Sequence, residues 1–203
     1  MTNAQSLLLG AGFVAAVLFV AITLVEIFIR PGFSIQRHAI SMLSLGERGW
    51  LMAAVFIISG LLTLAFALGF WQASGAVFAT ALLALYGAGL VLAGIFPAPA
   101  GMGFPPGTPE DMQPVMDRGA TIHSIAFMLA FGSLILASFA LGLHYWQAGV
   151  VALGVVFLAI GLAIPALIGI GMGGIVPPGI AFYIAAILAW LVIVLAAWRE
   201  LSL

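Results

Sequence analysis

The stretch "SLLLGAGFVAAVLFVAITLVEIFIRPGF", Ser6 to Phe33, decides the architecture. A helix needs about 20 apolar residues to cross the hydrocarbon core of a bilayer, and this run supplies them before its first charge, Glu26. It lacks the basic n-region and short apolar stretch of a cleaved leader. The expectation is therefore a first transmembrane helix ending near Ile29.

The same character extends along the chain. Of 203 residues, 65% are hydrophobic and 5% charged, whereas soluble domains carry about 25% charged residues. Six segments are long and apolar enough to span, at about residues 6–29, 49–70, 75–96, 121–143, 149–168 and 179–198. The predicted fold is a single all-α, six-helix transmembrane domain over residues 1–203. No strand alternation of the kind a lipid-exposed barrel needs competes with it. A net charge of −1 without a basic block argues against nucleic-acid binding. The absence of cysteine excludes disulfides and thiolate ligands, and the absence of lysine excludes a Schiff-base cofactor. No cofactor is expected.

The connections alternate. "WQAS" and "HYWQA" are short hairpins, whereas helices one, three and five end in longer Gly- and Pro-rich stretches, including "PAPAGMGFPPGTPEDMQP", Pro97 to Pro114. The three long connections should share one membrane face. Nine of the eleven charged residues fall there, which makes the protein chemically one-sided: Glu26, Arg30, Arg37, Glu47, Arg48, Glu110, Asp111, Asp117 and Arg118. Small residues at close-packing spacings, Gly12 with Ala16, Gly87 with Gly94 and Gly154 with Gly161, are expected to let helices approach closely in lipid.

Candidate site residues come from the polar face. Glu26 precedes Arg30 by four residues, the spacing at which opposite charges meet on one helical face. "SIQRHAISMLSL" is expected to form a short interfacial helix capped by Ser34, with His38 and Ser41 on one face. Asp117 and Arg118 precede helix four, and His123 lies about one turn inside it. His38, His123 and a carboxylate such as Glu26 or Asp117 could reach one another as a metal site, although their spacing has no signature. His144, beside Tyr145 and Trp146, reads as interfacial belt at the opposite end.

The motifs "RPGFSIQRHAISMLSLGERGW", "GAGLVLAGIFP", "GFPPGTP" and "HSIAF", in that order, resemble a prokaryotic family of six-helix membrane proteins catalogued as domain of unknown function number 998. The resemblance implies a six-helix fold with a conspicuous polar face and no assigned activity. It also implies an acidic residue in the stretch matching "GIFPAPAG" and a further histidine before helix four. This chain has Pro97, Ala98, Pro99 and Ala100 at the first place and Gly119 or Ala120 at the second.

Three functions compete. The leading one is binding of a lipid-like or amphipathic ligand at a polar pocket drawn from Glu26, Arg30, Arg37, His38, Ser41, Arg48, Asp117, Arg118 and His123. Arginine suits anionic head groups because its planar fork grips oxygens in pairs. The second is a membrane-embedded, metal-assisted lipid hydrolase using His38 and His123. The third is an accessory subunit whose small-residue faces dock a membrane-protein partner or a second copy. Membrane lipid is the expected partner throughout. The expected location is the plasma or inner membrane, with the polar face extracytoplasmic.

Overall fold

The structure, a computed structural model, describes residues 2–203. It is all-helical: α1 (Asn3–Ile29), α2 (Gly49–Ser74), α3 (Val77–Ile95), α4 (Arg118–Gln147), α5 (Val151–Met172) and α6 (Pro178–Leu201). All six are long and apolar enough to cross a membrane. Each helix packs against the next, and α6 returns to α1, closing the bundle.

Helices that are apolar all round carry no amphipathic stripe to separate inside from outside; small residues make that distinction here. Along α1 the buried positions Leu9, Gly12, Ala16, Phe19, Thr23 and Glu26 recur every three or four residues and form one inward face. The α2–α3 hairpin is zipped by glycine: a methyl group built on Gly60 would lie 2.6 Å from the Gly87 carbonyl oxygen, and one on Gly94 2.7 Å from that of Ala53. Gly142 and Gly154 do the same for α4 and α5. Gly12 is covered by Phe66 and Ile193, and Gly161 by Phe139 and Ser138. The small residues singled out in the sequence thus serve the internal seams. Gly87 and Gly94 in particular are spent on α2 and are not an outward face for a partner.

The three long connections meet over one end and form an ordered cap. Gly46 abuts Pro105, Gly32 abuts Pro106, and Gly179 at the start of α6 lies against the Ile35 and His38 carbonyls. Residues 97–114 fold back on themselves through paired Gly101 and Phe104 backbone bonds and the Met102 amide donating to the Met112 carbonyl at 2.8 Å. Met42, Ala98 and Phe104 give the cap its own small apolar core.

Candidate functional site

Glu26 is fully buried where α1 meets the cap. Arg30, one turn on, donates to Glu26 Oε2 from both Nε, at 2.9 Å, and Nη2. The same guanidinium donates to the carbonyls of Leu45, at 2.8 Å, and Leu43, at 3.0 Å. Arg48, twenty-two residues along, donates to Glu26 Oε1 at 2.7 Å. An ionised carboxylate can stay in so dry a place only with its lone pairs taken up by charged donors, and here both oxygens are. The bond to Glu26, with its charge, also raises the Arg48 pKa above the ordinary guanidinium value. The i,i+4 pair read from the sequence is present. Its chemical capacity is consumed in clasping the first connection to α1.

His38 plays a similar part. Its Nδ1 accepts from the Ser34 amide at 2.9 Å, so in the neutral ring Nε2 carries the proton and donates to the Met102 carbonyl, also at 2.9 Å. The ring sits between Phe33 and Phe104, each with its centroid 5.3 Å away. With both nitrogens engaged and no exposed surface, His38 locks two connections together and has no lone pair to offer. The expected Ser34-capped helix is corrected at this point. Residues 34–38 form a turn in which the Ser34 carbonyl accepts from the His38 amide, and only a short 3-10 turn, Ile40–Ser44, follows. Binding the Ser34 amide to the imidazole competes with helix formation, as local side-chain to backbone bonds do.

The remaining polar candidates are dispersed. Asp117 caps α4, its Oδ1 accepting from the Ala120 amide at 2.8 Å. Arg37 reaches Glu110 at 3.3 Å across an exposed gap, a pair of little energetic weight. Arg118 is exposed at the first turn of α4. Among the described residues no three His, Asp or Glu side chains converge as metal ligands, so the donor set that a metal-assisted hydrolase would need is not assembled by His38, His123, Glu26 and Asp117.

Below the cap lies a cavity of about 130 Å³. Its walls are Phe19 of α1, Phe56 of α2, Tyr86, Leu90 and Ala93 of α3, His123, Ala126, Phe127, Ala130 and Phe131 of α4, and Phe182, Ala186 and Trp190 of α6, roofed by Ala39, Ile40 and Ser41. Of the nine residues expected to form a pocket, Ser41 and His123 line this one, and Glu26, Arg30, Arg37, His38, Arg48, Asp117 and Arg118 do not. The cavity is therefore an aromatic chamber under the polar face and is not built from that face's charges.

Three polar groups in its wall have no protein partner among the described residues. His123 Nδ1 is 2.7 Å from the Phe96 carbonyl, an acceptor only, so the proton resides on Nδ1 and Nε2 is left as a free acceptor. The Tyr86 hydroxyl and the Trp190 indole N–H are free donors on rings packed 5.8 Å apart. Tyr86, Trp190 and His123 are 2%, 3% and 6% exposed, so these residues are buried in the bundle and border the cavity. The sequence held a signal for two of these: Tyr86 and Trp190 fall near the middle of their helices, away from the interfaces where such rings gather. A second buried pair, the Tyr145 hydroxyl donating to Glu200 Oε1 at 2.8 Å, ties α4 to α6 at the other end. Tyr145 is thus buried in the bundle beside the half-buried His144 and the exposed Trp146 at that end of α4.

No curated protein and no solved structure matches this chain. Residues 13–199 match the family described as "Protein of unknown function (DUF998)". With nearly the whole chain covered, from within α1 to the last turn of α6, the protein belongs to the DUF998 family of multi-pass membrane proteins.

Proposed function

We propose that this protein binds a lipid-like or amphipathic ligand whose head enters the aromatic cavity beneath the cap. The observation that carries the reading is the set of polar groups without a protein partner, Tyr86, Trp190 and His123 in the wall and the Ser41 hydroxyl in the roof, in a mostly apolar lining. Buried polar groups are ordinarily bonded, and a cavity with a few convergent polar groups is the usual form of a small-molecule site. Membrane lipid is the partner in this reading. The hydrolase and accessory-subunit alternatives have no comparable feature in their favour.

The test is native mass spectrometry with lipid analysis on protein extracted under mild conditions. The wild type should retain an amphiphile, and Ala186→Leu, which places a larger side chain in the cavity wall, should lose it. Wild-type protein without any retained amphiphile, or retention indifferent to Ala186→Leu, overturns the reading.

We further place the protein in the plasma or inner membrane with the cap outside the cytoplasm. Arg30, Arg37 and Arg48 are each paired locally with an acidic side chain. They are therefore weak witnesses for the positive-inside tendency that would put this end in the cytoplasm. Because the chain has no cysteine, single-cysteine labelling decides the matter: Asp111→Cys should react with an impermeant maleimide in intact cells and Gln147→Cys should not. The reverse pattern places the cap inside.

A further inference from the structure

We infer that the head held in this cavity is a neutral, oxygen-bearing six-membered ring, phenolic or quinoid, carried on an apolar tail; this rests on the reading of the cavity as a ligand site. Hydrocarbon alone is a poor occupant, because an acyl chain packed against Tyr86, Trp190 and His123 would cover two donors and an acceptor while offering them no partner. A charged head is equally poor. No Asp, Glu or Arg lines the cavity, and an ion taken out of water without a counter-charge is strongly disfavoured. That excludes phosphate heads, although arginines lie close by in the cap: Arg30 and Arg48 are bonded to Glu26.

Size and wall chemistry narrow the choice. The volume of about 130 Å³ is close to that of engineered apolar cavities, about 150 Å³, that hold a benzene molecule. The faces and edges of Phe19, Phe56, Tyr86 and Trp190, in contact with one another at ring-centroid spacings of 5.1 to 5.8 Å, favour a flat ring through edge and offset packing. The polar pattern fits the same class. A ring oxygen accepts from the Tyr86 hydroxyl, and a phenolic O–H donates to His123 Nε2. The tail leaves past the half-buried Phe127 and Phe182, whose rings meet 5.9 Å apart where α4 faces α6.

The experiment measures thermal unfolding of the purified full chain in detergent with three probes sharing a ten-carbon tail: 4-decylphenol, decylbenzene and monodecanoylglycerol. The phenol should raise the wild-type midpoint by about 3 °C at saturation and exceed both others, with its apparent affinity falling roughly tenfold in Tyr86→Phe. Decylbenzene matching the phenol, or a phenol effect unchanged by Tyr86→Phe, overturns the inference. If monodecanoylglycerol is the strongest probe and Ala186→Leu abolishes its effect, the ring is wrong while the ligand site stands. If no probe distinguishes wild type from Ala186→Leu, both fail.

Discussion

The Nε2 atom of His38 lies 2.9 Å from the carbonyl oxygen of Met102, joining two connections that are sixty-four residues apart in the chain. Together with Nδ1, which accepts from the Ser34 amide, this bond makes the imidazole the pin of the cap. His38→Ala leaves the part-buried Ser34 amide and Met102 carbonyl without their partner, at a cost of about 1–3 kcal/mol in all. The expected result is an early loss of the cap, read as faster hydrogen exchange at residues 33–45 and 98–112 and a fall of several degrees in the unfolding midpoint. A role as metal ligand would instead make the stability of the wild type respond to chelator, and none of that response is expected.

Glu26 and Arg48 are bonded, yet their removal should differ. Glu26→Ala leaves the buried guanidinium of Arg30 without its counter-charge and should cost about 3–5 kcal/mol. Arg48→Ala should cost no more than about 1 kcal/mol, since the Arg48 side chain is 53% exposed and Arg30 still neutralises Glu26. Denaturant titration of both variants checks the order. Equal losses would mean that the clasp depends on both arginines alike.

Glycine seams allow a sharp contrast within one residue type. A Cβ on Gly87 would lie 2.8 Å from the Gly60 carbonyl, so Gly87→Val must push α2 and α3 apart, at a cost of about 1–3 kcal/mol or more. Gly132 has nothing within 4 Å of an added Cβ, and Gly132→Ala should stabilise α4 by up to about 1 kcal/mol through helix propensity. Thermal unfolding of the two single variants reads both signs.

Thr23 Oγ1 and the Tyr183 hydroxyl are buried without a hydrogen-bond partner, on α1 and α6 beside a smaller cavity of about 70 Å³. Since neither has a bond to lose, Thr23→Val and Tyr183→Phe should be neutral or stabilising by up to about 1 kcal/mol each. A clear loss of stability in either would show that an ordered water or lipid group bonds that hydroxyl.

The legible part of this protein was set by hydropathy and local spacing. Runs such as Ser6–Val25 have one low-energy fate in a bilayer, because a chain surrounded by hydrocarbon must bond its own backbone groups. The Glu26–Arg30 pair followed from helical pitch alone, and Asp117 before α4 stood where a capping side chain stands. The site was less legible. The sequence drew attention to the polar residues of the cap, since charge is rare in this chain, but those charges bond to one another or to cap carbonyls. Cavity residues such as Phe19 and Phe127 do not, in a chain so rich in aromatics, differ in kind from residues that face lipid; only the mid-helix positions of Tyr86 and Trp190 set those two apart.

What the sequence by itself determined was the number of spans, their positions to within a few residues, and the gathering of polar chemistry at one end, because each depends on the cost of placing a backbone or a charge in hydrocarbon. What only the tertiary structure decided was which polar atoms remain free. Glu26 meets Arg48 across twenty-two residues and His38 meets Met102 across sixty-four, while Tyr86, His123 and Trp190 converge from three helices on one chamber and leave their polar atoms without a partner. Hydrogen-bond satisfaction depends on neighbours in space, and nothing in the order of residues along the chain specifies those neighbours until the helices have packed.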